Sequence, residues 1–107
     1  MQYKLYIDDM RVPYHFGSGF KGTAGWLLAK TFDEAVDIVS RINCCPEYIS
    51  FDYDLGNSKS GYNFAEWLIE QDCNNDFFPD DFEFVVHSTH PNAGTIKTLL
   101  TAHLKNR

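Results

Sequence analysis

Apolar residues fall into short runs along the chain, each closed by acid or turn residues, and their spacing alternates between the two-residue and the 3.6-residue period. Tyr3 to Ile7 (Y-K-L-Y-I) is a β-rich run that stops at Asp8-Asp9 and reads as a first strand. Residues 10 to 25 carry Pro13, Gly17, Gly19, Gly22 and Gly25 without helical periodicity, which predicts a long loop of the kind that is functional or mobile in compact domains. Trp26 to Lys30 is a second apolar strand. Thr31 and Glu34 have the spacing of a capping box, and Phe32, Ala35, Val36, Ile38, Val39 and Ile42 follow at helical spacing. Tyr48 to Phe51 predicts a third strand, again closed by acid at Asp52-Tyr53-Asp54 and followed by a turn-rich stretch to Gly61. A second helix is expected from Tyr62 to Asp72, with Phe64, Ala65, Trp67, Leu68 and Ile69 as its apolar face. Phe82 to Val86 then reads as a fourth strand ending in His87-Ser88, and Pro91-Asn92 opens a last helix to Leu104 that buries Ile96, Leu99 and Leu100.

Strands alternating with helices predict an α/β fold: a three-layer sandwich with a mainly parallel four-stranded sheet and helices on both faces. The right-handed crossover rule restricts the topology, and strand order 2-1-3-4 is the simplest arrangement. In such sheets ligands sit outside the carboxyl ends of the strands, where Asp8, Asp9, Asp52, Asp54, His87 and Ser88 all fall.

The length of 107 residues suits a single domain able to bury roughly 65% of its unfolded surface. With 44% apolar and 16% aromatic residues the chain is globular, and Phe51, Phe64, Trp67, Phe82 and Phe84 follow core periodicity. No apolar run reaches the length of a membrane helix and no signal peptide is visible, so a cytoplasmic location and no membrane partner are expected. The three cysteines, Cys44, Cys45 and Cys73, form no metal or disulfide pattern and read as packing residues. A net charge of -6 argues against nonspecific nucleic-acid binding and leaves a small phosphorylated ligand, a nucleotide or a protein as the partner.

Two acidic pairs on neighbouring strand ends repel unless a cation stands between them, whereas one such Asp alone reads as a loop cap. An all-oxygen set of Asp8, Asp9, Asp52 and Asp54 suits Mg²⁺, which keeps several waters and accepts phosphate oxygens. Arg11 is placed to grip a phosphate or, equally, to pair with Asp8 or Asp9 on the surface. His87 is a residue type suited to general acid or base work, or else a buried histidine bonded to backbone at the strand end, with His90 as a second candidate, while His15 and His103 read as surface residues. Tyr14, Phe16, Phe20 and Tyr53 lie near the acidic end, to stack on a nucleobase or to pin the loop.

Asp8-Asp9-Met10-Arg11-Val12-Pro13, Asp52-Tyr53-Asp54-Leu55-Gly56 with Gly61-Tyr62, and Val86-His87-Ser88-Thr89-His90-Pro91 together resemble the receiver domains of two-component signalling, and within them the cyclic-phosphate processing receiver-like group. The resemblance spans nearly the whole chain and implies a truncated receiver, flavodoxin-like in architecture. It implies that Asp8 and Asp9 bind Mg²⁺, that Asp52 stands at the phosphoacceptor position, as a metal ligand or a nucleophile, and that Ser88 contacts phosphate. Against the full receiver pattern, a Gly-rich loop replaces the first helix, and the fifth strand with its phosphate-binding Lys is missing. Two functions are therefore expected in competition. One is a metal-dependent phosphoesterase acting on a cyclic phosphate or nucleotide through Asp52, His87 and Arg11. The other is a non-catalytic module that senses or sequesters a phosphorylated ligand, or binds a protein or a second copy through the open sheet edge.

Overall fold

A computed structural model describes residues 3–9, 26–56 and 59–106. Its elements follow the expected order: β1 (Lys4–Ile7), β2 (Trp26–Ala29), α1 (Phe32–Ile42), β3 (Tyr48–Phe51), α2 (Gly61–Asn75), β4 (Glu83–Val86) and α3 (Gly94–Lys105). All three strand pairings are parallel, and the four-stranded sheet has the order β2-β1-β3-β4. This is the α/β topology and strand order that the alternation of strands and helices predicts, and the truncated architecture that the resemblance implies. No helix among the described residues is long and apolar enough to cross a membrane.

Local chemistry explains where each helix starts and stops. The Thr31 hydroxyl accepts the Glu34 backbone N–H at 3.0 Å, and Glu34 Oε1 accepts the Lys30 N–H at 2.8 Å, so orphan donors at the start of α1 are satisfied. Asn43 ends α1 in the left-handed region at φ 62°. At α2 the cap is Ser60, paired reciprocally with Asn63, so the helix begins one residue earlier than the apolar periodicity indicates. It also runs on to Asn75, because no Gly or Pro interrupts it before Asp76 takes a left-handed cap. The α3 helix starts at Gly94, later than Pro91-Asn92, since His90 to Ala93 is first spent on a turn closed by the Ala93 N–H to the His90 carbonyl.

The two crossovers β2-α1-β3 and β3-α2-β4 advance in the same direction across the sheet, and right-handedness puts both helices on one face. The α3 helix packs on α2 and β4, joining the same layer. Leu5, Ile7, Ile49 and Phe51 point into this layer and are buried with Ala35, Val39, Phe64, Leu68, Ile96 and Leu100. Phe82 is buried in the same core, and Trp67 and Phe84 pack against it half-buried. The opposite face, by the two-residue period, carries Tyr6, Trp26, Tyr48, Ser50 and Val85. Helices thus cover one face among the described residues, and the loop expected over residues 10–25 lies outside them. Beyond β4 no further strand pairs among the described residues, and Val85 is 42% exposed there.

His103 is not the surface residue its sequence context indicates. Its Nε2 lies 2.8 Å from Asp72 Oδ2 and its ring packs on Phe78. Asp72 Oδ1 meanwhile accepts the backbone N–H groups of Phe77 and Phe78 at 2.6 and 2.9 Å. One carboxylate therefore ties the end of α2 to the following loop and to α3. The cysteines divide: Cys45 is buried as a packing residue, Cys44 is half-buried and Cys73 is exposed on α2. Replacing Asp72 strips these partners from buried donors, so Asp72→Ala is expected to lower unfolding free energy in urea by about 3 kcal/mol. A loss under about 1 kcal/mol would show that water replaces the carboxylate at no structural cost.

Candidate functional site

The register of the sheet builds the site. Ile7, Phe51 and Val86 stand side by side on β1, β3 and β4, so the residues that follow them, Asp8, Asp52 and His87, leave the sheet at one level. The ladder continues through all three: Asp52 N–H donates to the Ile7 carbonyl at 3.0 Å and His87 N–H to the Phe51 carbonyl at 2.9 Å. Neighbouring parallel strands are about 4.8 Å apart, which forces the three side chains together. Ligand atoms of Asp8, Asp52 and His87 all lie within 4.8 Å of one another.

The metal set expected here from the sequence is all-oxygen, with His87 apart as a proton carrier. In the structure His87 Nε2 is 3.0 Å from Asp8 Oδ2 and Nδ1 is 2.7 Å from Ser50 Oγ, so both ring nitrogens are engaged. The ring also lies flat on Tyr6, with centroids 4.6 Å apart and planes 6° from parallel. Ser50 and Tyr6 were not foreseen. The signal was available: Ser50 is the one polar residue in β3 between buried Ile49 and Phe51, and Tyr6 shares its register row.

Asp8 is only 3% exposed and Asp52 only 6%. Asp52 makes no side-chain hydrogen bond to another described residue, and it lines a cavity of about 310 Å³ together with Asp8, Asp9, Asp54, Ser88, Thr89 and His90. Two buried carboxylates side by side are costly, the more so where one of them, Asp52, has no described donor, unless a cation neutralises them. Asp9 and Asp54 stand at the rim. Partial burial, then the Asp52, Asp8 and Asp54 charges, push the Asp9 carboxyl above its usual range, against a lowering hydrogen bond from its own backbone N–H. Asp54 is exposed and spends Oδ1 on the Gly56 N–H at 2.9 Å, an Asx turn that shapes the loop.

Ser88 Oγ accepts the His90 N–H at 3.1 Å, leaving its own O–H to donate into the cavity it lines. His90 Nδ1 accepts the Asn92 N–H at 3.0 Å, so the neutral ring carries its proton on Nε2. Tyr53 stacks on His90 at 4.4 Å, covering it from one side. Arg11, Tyr14, His15, Phe16 and Phe20, named from the sequence, lie outside the described residues.

Two glycines let the following loop close on the site. Gly56 has φ 75°, and a Cβ there would stand 2.6 Å from Asp9 Oδ2. At Gly61 a Cβ would collide with the Asp52 carbonyl oxygen, so this position sets how closely α2 approaches the end of β3.

The family model of the cyclic-phosphate processing receiver domain matches residues 3–101. Among solved structures, one titled as a yeast Spc42 trimeric coiled-coil fusion aligns at 18% identity over 99% of this chain and 79% of that chain, with a TM-score of 0.48. So distant a likeness bears on neither the fold nor the site. No curated protein matches.

Two outcomes are expected from this geometry. Gly61→Ala pushes Asp52 and α2 apart and should cost about 3 kcal/mol in urea unfolding, against well under 1 for Gly94→Ala, whose Cβ meets open space. The raised Asp9 pKa means the folded state holds a proton more tightly than the unfolded chain, so stability falls as pH rises from the ordinary carboxylate pKa through the folded one. In cation-free protein Asp9→Asn should therefore raise melting temperature, relative to the wild type, more above the ordinary carboxylate pKa than below it; a difference independent of pH would contradict the assignment.

Proposed function

The chain belongs to the cyclic-phosphate processing receiver family, and on that premise we propose that it is a metal-dependent phosphoesterase that opens a cyclic phosphate or a related nucleotide end. The observation that carries this reading is the buried Asp52 carboxylate, without a described donor, facing the cavity beside Asp8. Two buried carboxylates match the charge of one divalent cation, and Mg²⁺ is the ion their oxygens first suggest. When bound, such an ion polarises a phosphoryl oxygen and neutralises charge as the ester bond breaks. Asp9 at the rim offers a further oxygen to the ion's water shell, while Asp54 is held by its turn.

The chain's own residues supply the rest. Ser88 donates its hydroxyl to a non-bridging phosphate oxygen, and Arg11 is assigned the opposite side of the same phosphate. His87 is the proton carrier expected from the sequence, but the Ser50 and Asp8 contacts occupy both of its nitrogens. His90 is the better proton donor to the leaving oxygen: it lines the cavity, and the Asn92 N–H keeps its proton on Nε2. Asp52 serves as a ligand in this scheme; attack by Asp52 on phosphorus would instead leave a phosphoaspartate, which hydroxylamine traps.

The outer edge of β4, which no further strand pairs among the described residues, favours a second reading, a binding module that pairs with a protein or a second copy without turnover. Incubation with a panel of cyclic mono- and oligonucleotides and 2′,3′-cyclic phosphate ends separates the two. With Mg²⁺ present, at least one substrate should be opened, with loss on chelation, a fall of about 10³-fold for Asp52→Asn and of about 10²-fold for His90→Ala. Tight binding of the same ligands in calorimetry with no product, or turnover indifferent to chelation, would reject the phosphoesterase.

A further inference from the structure

Resting on that reading of the site as a cation site, we infer that His87 is itself a metal ligand through Nε2, that Ser50 is the residue that positions it, and that the site therefore prefers an octahedral first-row ion such as Mn²⁺ to Mg²⁺. Three observations support this. The first is distance. Cis ligands of an octahedral ion, each about 2.1 Å from it, stand about 3 Å apart, and His87 Nε2 and Asp8 Oδ2 are separated by 3.0 Å. The second is charge. Asp8 and Asp52 balance a divalent ion, and a neutral imidazole completes a third position without adding charge. A third carboxylate in that place would leave the site negative in a setting where Asp8 is 3% exposed and Asp52 6%.

The third is the Ser50 hydroxyl, which lies 2.7 Å from His87 Nδ1 in a strand row that is otherwise apolar or aromatic. A carboxylate only accepts, so in the cation-free protein Nε2 carries the proton toward Asp8 and Ser50 donates its O–H to Nδ1. A metal needs the bare Nε2 lone pair. The proton must then sit on Nδ1, and Ser50 reverses to accept it. A hydroxyl serves both states because it is donor and acceptor at once, whereas a carboxylate or a backbone carbonyl at this position would only accept. The proton count is unchanged: the proton released from Nε2 to solvent is matched by one taken up from solvent at Nδ1, while the Ser50 hydroxyl rotates and keeps its own hydrogen. Tyr6, stacked flat on the imidazole, holds the ring plane in either state. Imidazole ligation favours first-row transition ions over Mg²⁺, which keeps to oxygen, and a partner on the far nitrogen commonly contributes 10–100-fold to affinity.

Titration of the purified chain with Mn²⁺ and Mg²⁺, combined with electron spin-echo envelope modulation of the Mn²⁺ complex, tests this apart from any turnover. The wild type should bind Mn²⁺ more tightly than Mg²⁺ and show one directly coordinated ¹⁴N. His87→Ala should lose that nitrogen signal and weaken Mn²⁺ about 10–100-fold while changing Mg²⁺ less than about 3-fold. Ser50→Ala should weaken Mn²⁺ about 10-fold with Mg²⁺ again little changed, and Ser50→Thr, which keeps the hydroxyl, should restore it. Binding of both ions with no ¹⁴N coupling, or coupling that survives His87→Ala, overturns the His87 assignment and leaves the cation-dependent phosphoesterase standing. Binding of neither ion overturns both.

Discussion

Everything distinctive in this chain follows from three parallel strands that end at the same level. Because β1, β3 and β4 pair in register, Asp8, Asp52 and His87 emerge side by side at the carboxyl edge of the sheet. The ladder does not permit them to separate, since each donates its own backbone N–H to the neighbouring strand. Two buried carboxylates are thus held close together by the same hydrogen bonds that stabilise the fold. The electrostatic cost is relieved in part by the His87 contact to Asp8, and a cation bound as proposed would offset the remainder.

The remaining parts of the fold support this edge. The helical layer covers one face of the sheet and keeps Leu5, Ile7, Ile49 and Phe51 out of water, which holds the strands in register from behind. Ser60 and Gly61 start α2 directly against the Asp52 carbonyl, and Gly56 brings the intervening loop onto Asp9. On the opposite face Tyr6 and Ser50, two residues back along their strands, confine the His87 ring. Asp72 and His103 tie α2 to α3 far from the cavity, so the α3 layer is anchored independently of what the acidic edge binds.

Much of the fold was legible because it depends on local patterns. Alternating strands and helices, the Thr31–Glu34 spacing and acid after the strand ends give the element order and, with the crossover rule, the sheet order. Helix ends shifted where side-chain caps or a turn took precedence over apolar periodicity, as at Ser60 and at His90 to Ala93. Asp8 and Asp52 were recognisable as partners from their positions after strands. The place of His87 among them was not, because its distance from Asp8 depends on register between strands 79 residues apart. Ser50 looked like an ordinary strand residue for the same reason, and His103 looked exposed because its partner Asp72 lies 31 residues away on another helix. Local spacing reveals what a residue is next to in the chain; these three contacts exist only across the sheet or between helices.

The central claim is that the level strand ends hold one divalent cation between Asp8 and Asp52. Crystals soaked with Mn²⁺ and vanadate, measured near the manganese absorption edge, test it most directly. The account predicts a single anomalous peak within bonding distance of both carboxylates, with vanadate in the cavity between it and Ser88. An empty edge, or manganese bound only at exposed surface acids such as Asp54, would contradict it.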